Sequence, residues 1–233
     1  MQNNEKSVVY YTHNKCDENI LNACRKQLKK CIGTMSLISV SQQPLDFGKN
    51  YVLNLKPSVL SMFEQILFGL KKCKTDIVFM AEHDILYHPS HFEFVPEKTN
   101  VYYYNTNIWK VRPSDGMAVN YTTCQVAALC AHKNILIEHY EKKVTRVKKE
   151  GFTRRMGFEP GNHPPPRGID RYKIKTWQSE YPNIDIRHNK TLTARRFSLD
   201  KFRRKPKDWK VSDEIPGWGK TKGRFEKWIS QIC

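Results

Sequence analysis

Three short runs of apolar, β-branched and aromatic residues fall within the first 84 positions, and two amphipathic stretches separate them. This alternation limits the possible folds more than any other feature of the chain. Ser7–Tyr11 (SVVYY) reads as a buried strand, Ser36–Ser41 (SLISVS) as a second and Asp76–Ala81 (DIVFMA) as a third. Between the first two, Asp17 is placed to cap a helix from Glu18 to Cys31, with Ile20, Cys24, Leu28 and Cys31 on one face. Gln42–Leu53 reads as a loop. Ser58 then caps a helix to Cys73, whose stripe is Val59, Phe63, Ile66, Leu70 and Cys73. Strand, helix, strand, helix, strand predicts an α/β fold with a helix-covered parallel sheet. Such sheets take their ligands beyond the carboxyl ends of the strands. Glu82-His83-Asp84 comes directly after the third run, at that edge.

Beyond that point the pattern shortens. Val101–Asn105, Ile108–Arg112 and Cys124–Ala131 read as strands. A helix over about 134–150 turns Ile137, Tyr140, Val144 and Val147 inward and Lys142, Lys143, Arg146, Lys148 and Lys149 outward. A loop with three consecutive prolines fills 151–168. Short ordered pieces occupy 169–178 and 184–187. The 233 residues suffice for one domain with a proper core. No stretch has the apolar length of a membrane span, and the polar Met1–Lys6 gives no expectation of a signal peptide. Seven cysteines without a CxxC pair point to reduced thiols and a cytoplasmic location (a host cytoplasm if the protein is viral).

Charge divides the chain. Residues 1–140 carry 15 Lys/Arg against 12 Asp/Glu, and residues 141–233 carry 25 against 11. The second part therefore holds most of the +17 net charge, which suits a polyanionic partner. Within it, Lys201–Lys210 (KFRRKPKDWK) interleaves cations with aromatics, and Arg203, Arg204, Lys205 and Lys207 are the candidate nucleic-acid contacts.

Two carboxylates at i and i+2 after a strand can chelate one hard cation, which makes Glu82 and Asp84 candidate ligands of Mn²⁺ or Mg²⁺. His83, His88 and His91 lie close in sequence, but their spacing matches no structural zinc pattern.

Several of these segments carry a family resemblance. Asp76–Phe92 (DIVFMAEHDILYHPSHF) resembles the DxD region of GT-A fold glycosyltransferases. Ile38–Asn50 (ISVSQQPLDFGKN) resembles the second strand and nucleotide-side loop of a bacterial and phage group within that fold. YYNTNIW (103–109), FEPG (158–161) and WQSEYPNIDIRHNKTLT (177–193) fit the same group, so the likeness spans roughly residues 7–197. It is also similar to the glycosyltransferases that decorate hydroxymethylated pyrimidines in phage and kinetoplastid DNA. The resemblance implies a single GT-A, Rossmann-like domain over 1–233. Residues 1–112 form its nucleotide-sugar half and 113–233 a basic, acceptor-binding and catalytic half. It implies a nucleotide-sugar donor, with a UDP-sugar foremost. Thr12, His13, Asn14, Lys49 and Asn50 would contact the nucleotide, Glu82 and Asp84 the metal–diphosphate, and His188 would complete the metal site. Glu159 would be the catalytic base of an inverting transfer, with Asp170 and Asp115 as rivals. Asp115 lies in a Ser-Asp-Gly turn, which gives it a plain structural role as well. Two acceptors are implied: DNA bearing 5-hydroxymethylpyrimidine, with Phe202 or Trp209 stacking on a base, or a polysaccharide or lipid-linked glycan at the inner membrane face.

Overall fold

The computed structural model describes residues 5–162, 169, 172–191 and 195–232, without the side chains of residues 154 and 155. The elements in chain order begin β1 (Lys6–Thr12), α1 (Glu18–Ile32), β2 (Ser36–Ser41), β3 (Lys49–Val52), α2 (Val59–Lys72) and β4 (Ile77–Glu82). They continue with β5 (Ile85–Leu86), α3 (Pro89–Phe92), β6 (Val101–Asn105), β7 (Ile108–Val111), β8 (Ala118–Asn120), β9 (Leu129–His132) and α4 (Lys133–Glu150). The last are β10 (Lys173–Trp177), β11 (Asn183–Ile186), β12 (Lys210–Ser212), β13 (Glu214–Ile215), β14 (Gly219–Lys220) and α5 (Phe225–Ile232).

The main sheet has the order β10-β6-β9-β4-β1-β2-β3. Its β4-β1-β2-β3 part is parallel, as the opening alternation requires. β9 runs antiparallel to both its neighbours, so the sheet as a whole is mixed. Alternate residues of β1 feed two cores. Val9 and Tyr11 pack with Phe63, Ile66 and Leu70 of α2 and Tyr140 of α4, while Val8 and Tyr10 pack with Leu28 and Ile32 of α1. Gly69 lets α2 sit close on the sheet, because a Cβ there would lie 2.7 Å from Val9 Cγ1. A second sheet, β12-β8-β7-β11-β5, packs its apolar side chains with Ile20 and Cys24 of α1 and Phe225, Trp228 and Ile229 of α5.

Ser58 begins α2 with a reciprocal capping box: its Oγ accepts from Ser61 N at 3.0 Å, and Ser61 Oγ accepts from Ser58 N at 2.8 Å. Asp17 makes no side-chain cap at α1 and pairs with Lys190 at 2.8 Å instead. Four more expectations need correction. Residues 49–52 are a strand and not loop, because Asn50 Nδ2 donates to Ser39 Oγ and Ser41 Oγ, both at 2.9 Å, and fastens the polar segment KNYV to β2. Residues 126–128 form a 3₁₀ turn, and the strand there begins only at Leu129. Cys31 is only half-buried, and Ala23 and Ile32 complete the buried face of α1. Lys143 points inward: its Nζ donates to Phe158 O at 2.5 Å and lies 4.5 Å from the Phe63 ring centroid. The six described cysteines are free thiols. Among the described residues no helix is long and apolar enough to cross a membrane.

Candidate active site at the carboxyl edge of the sheet

β1 and β4 run side by side with Tyr11 opposite Glu82, so both chains leave the sheet at the same edge. The Tyr11 hydroxyl donates to Glu82 Oε1. The backbone N–H of Glu82 donates to Tyr87 Oη at 3.1 Å, and that hydroxyl donates to Ala127 O at 2.8 Å. The acidic turn is thereby held from two directions.

Asp84 is brought to His188 by a backbone link. Ile186 N donates to Asp84 O at 2.9 Å, which ties the acidic turn to the end of β11 two residues before the histidine. His188 Nε2 then lies 3.5 Å from Asp84 Oδ2 and 3.6 Å from Cys16 Sγ. Its Nδ1 accepts from Lys190 N at 3.2 Å, so a neutral ring carries its proton on Nε2 and donates it toward the carboxylate. His13 faces His83 with ring centroids 5.2 Å apart. His88 and His91 lie elsewhere: His88 Nδ1 meets Ser90 Oγ at 2.9 Å and His91 Nδ1 meets Asn105 Nδ2 at 3.1 Å.

Two further charged residues enter the site from the second sheet. Asp185 on β11 stands opposite Lys110 on β7, and each is only 2% exposed. Gln125 Nε2 donates to Asp185 Oδ2 at 3.1 Å, and Arg187 Nη1 lies 3.3 Å from the same oxygen. Lys110 Nζ is buried without a hydrogen-bond partner, 4.0 Å from the Tyr121 ring centroid. Neither residue stood out in the sequence as a site residue. Each is a lone charge inside an apolar strand, IWKV and NIDI, and that interruption was the available signal.

Glu159 is positioned by its neighbours. Tyr104 Oη donates to Pro160 O at 2.6 Å and Lys143 to Phe158 O, while the carboxylate accepts from the backbone N–H of Val126. Tyr11 and Glu82 both feel its charge, which puts it on the same edge. Burial pushes Glu159 up to about 7, against the opposing pull of Lys143 and Val126. Burial and the neighbouring Asp84 push Glu82 up to about 8. Burial also raises Asp185, more than Arg187 and Lys110 lower it. It lowers Lys110 to about 7 and favours neutral His83. Asp84 stays below the ordinary carboxylate value. Burial alone would raise it, but the surrounding imidazoles and Arg187 outweigh that effect.

Other candidates have structural partners. Asn14, at φ +62°, accepts through Oδ1 from Gln42 N at 2.9 Å and Gln43 N at 3.1 Å, joining the loops after β1 and β2. Thr12 Oγ1 accepts from Asn14 N, and Thr12 O accepts from Gln65 Nε2 at 2.8 Å. Lys49 is exposed on the edge strand. Asp115 accepts from Arg112 Nε at 2.8 Å and from Met117 N at 3.2 Å, so it closes its turn. Asp170 lies outside the described residues. Arg203, Arg204, Lys205 and Lys207 are exposed. Trp209 stacks on Tyr121 and Phe202 meets the same ring edge-on, so both aromatics already have an internal partner.

The donor set fits a divalent cation. Asp84 lies 3.5 Å from His188 and its Oδ1 is buried with no hydrogen-bond partner, whereas the Glu82 carboxylate is engaged by Tyr11.

No family model matches the chain, and no curated protein matches it. Among solved structures it is similar to a crystal structure of a glycosyltransferase involved in the glycosylation of the major capsid of PBCV-1. Identity there is 9% and the TM-score 0.42, over 73% of this chain and 81% of that one. It is also similar to the bifunctional IspDF from Campylobacter jejuni, at 8% identity and TM-score 0.39, over 76% of this chain and 50% of that one. A third similarity is to apo-form glycosyltransferase GlyE of Streptococcus pneumoniae TIGR4, at 13% identity and TM-score 0.37, over 63% of this chain and 39% of that one. The chain thus spans half or less of the length of the latter two. Similarity at this level leaves the function to the chemistry of the site.

Proposed function

We propose that the chain is a metal-dependent glycosyltransferase that moves a sugar from a nucleotide-sugar, with a UDP-sugar foremost, to a hydroxyl on DNA bearing 5-hydroxymethylpyrimidine. One observation carries the reading. At the carboxyl edge of a helix-covered sheet, an acidic pair and His188 face a buried Lys110–Asp185–Arg187 group, with a half-buried glutamate at the same edge. The motifs that resemble the GT-A family supply all of these residues except Lys110.

Asp84, His188 and Glu82 would hold Mn²⁺ or Mg²⁺, whose part is Lewis-acid stabilisation of the leaving diphosphate. Arg187 adds fixed positive charge beside the place where that negative charge develops, and Lys110, lowered to about 7 by burial, adds charge there when it is protonated. Glu159, raised to about 7, takes the proton from the attacking acceptor hydroxyl. Attack from the face opposite the diphosphate inverts the anomeric centre. The acceptor part rests on the basic arm around 201–210. Its Trp209 stacks on Tyr121, and Tyr121 in turn lies over Lys110. A polyanion following the exposed Arg203, Arg204, Lys205 and Lys207 is therefore led toward the catalytic edge.

The test is transfer by the purified chain with a nucleotide-sugar panel, Mn²⁺, and hydroxymethylated or unmodified DNA, read by nucleoside mass spectrometry. Transfer is expected only to hydroxymethylated DNA, and Asp84→Asn is expected to abolish it without unfolding the protein. Wild-type turnover by a folded Asp84→Asn protein would overturn the metal assignment. Donor hydrolysis without DNA transfer, together with binding to anionic liposomes, would move the acceptor to a glycan at a membrane face.

A further inference from the structure

Beside the acidic pair lies a set of donors of different chemistry. Cys16, from the loop between β1 and α1, His83, from the acidic turn, and His188, after β11, place one ligand atom each within 4.8 Å of one another. Cys16 Sγ and His188 Nε2 are already 3.6 Å apart. In tetrahedral zinc sites, Zn–S and Zn–N bonds of about 2.3 and 2.0 Å put neighbouring ligand atoms about 3.3–3.8 Å apart. One edge of such a tetrahedron is therefore in place, and the others need shifts of about 1 Å. His83 Nε2 is buried and has no hydrogen-bond partner, and neither has Asp84 Oδ1. An orphaned imidazole nitrogen on a member of this cluster is accounted for if a cation is the missing partner.

We propose that Cys16, His83 and His188 form a site for a thiophilic divalent cation of the Zn²⁺ class, and that its occupation competes with a hard cation at Glu82 and Asp84. Sulfur and imidazole ligands favour Zn²⁺ over Mg²⁺ and Mn²⁺, whereas the carboxylates favour the hard ions. His188 belongs to both sets and its Nε2 can serve one metal at a time, so the two occupations exclude each other. Asp84, 3.5 Å from His188 Nε2, is the nearest carboxylate for a fourth position. Coordination by Cys16 releases the thiol proton to solvent. Coordination at Nε2 moves the His188 ring proton to Nδ1, and Lys190 N–H must then leave that atom. Asn189 and Lys190 are exposed, which leaves room for the turn to adjust. The thiophilic site stands apart from the glycosyltransferase reading; only the competition rests on the hard-cation site of that reading.

The experiment uses the full chain stripped of metal and titrated with Co²⁺. A thiolate-to-cobalt charge-transfer band in the near ultraviolet and the visible bands of a tetrahedral centre are expected, and one equivalent of Zn²⁺ should remove both. Cys16→Ser should eliminate the charge-transfer band with an unchanged circular dichroism spectrum, and His83→Gln should weaken Co²⁺ binding at least about tenfold. A band that is absent from the wild type, or that survives in Cys16→Ser, overturns the site. If Cys16→Ser does not fold, unaltered Co²⁺ affinity in His83→Gln overturns it equally. Competition is read by Mn²⁺ electron paramagnetic resonance, where added Zn²⁺ should release bound Mn²⁺ in the wild type. No Mn²⁺ binding, with an intact cobalt–thiolate band, overturns the competition and the hard-cation reading but leaves the thiophilic site standing. Mn²⁺ that stays bound with Zn²⁺ present overturns the competition alone.

Discussion

Glu159 links position to chemistry most directly at the residue scale. A general base works best with a pKa near the working pH, and burial has moved this carboxyl to about 7. The rate of the wild type is expected to rise with pH through about 7, as the base ionises. Glu159→Gln should lower it at least about a hundredfold, with near-normal donor affinity, in a single-turnover assay. An active Glu159→Gln protein would refute the assignment. The same shift has a consequence for folding. The folded carboxyl holds its proton to higher pH than the unfolded one, at 4.5, so its contribution to stability is full below about 4.5 and is lost as pH rises to about 7. The loss is on the order of 3 kcal/mol if Glu159 acts alone. Glu82, raised to about 8, acts in the same direction. Urea denaturation between pH 4.5 and 8 should therefore show stability falling with pH, and Glu159→Gln should flatten that fall without removing it. A variant with the wild-type slope would show that burial of Glu159 does not set it.

The glutamate is placed by a short element, the FEPG loop between α4 and β10, and Gly161 ends it at φ +73°. A Cβ at Gly161 would lie 2.7 Å from both Ile174 Cγ2 and Tyr102 Cδ2. Gly161→Ala is expected to cost about 1–3 kcal/mol in thermal unfolding and to slow transfer by displacing Glu159. Unchanged melting and activity would show that the loop tolerates another backbone. Parts of this arrangement were legible in the sequence. The parallel core could be read because β1, β2 and β4 are buried apolar runs, which follow from strand chemistry alone. FEPG and IDIRHN stood out only through family resemblance. The edge strand β3 was not legible, since KNYV has no apolar alternation and is held by the Asn50 side chain. Lys143 looked like a solvated helix position, because the carbonyl that receives it belongs to a loop 15 residues away. Lys110 and Asp185 were hidden for a similar reason. What brings them together is the pairing of β7 with β11, a contact between distant segments that no local pattern records.

Over the whole molecule the charge is uneven: 25 Lys/Arg face 11 Asp/Glu after residue 140, whereas the first 140 residues are almost balanced. The arm carrying Arg203, Arg204, Lys205 and Lys207 is fixed to the body. β12 pairs with β8, Thr122 N donates to Lys207 O at 3.1 Å, and Trp209 rests on Tyr121. A cationic surface held this way needs no ordering when it binds, so its contribution should be mainly counterion release. Affinity for duplex DNA, measured by fluorescence anisotropy between 50 and 200 mM salt, is therefore expected to fall steeply as salt is raised. Each phosphate contact contributes about 0.9 to the slope of log affinity against log salt. Neutralising all four residues should flatten that slope by at most about 3–4 units. Donor hydrolysis should survive the change, because all four are exposed on the arm. Since Phe202 and Trp209 pack on Tyr121 and on each other, replacing them should loosen the arm and should not selectively weaken binding to single-stranded bases. An unchanged salt slope in the fourfold variant would move the DNA contacts elsewhere on the basic half. A lost donor hydrolysis would show that the arm supports the catalytic edge itself.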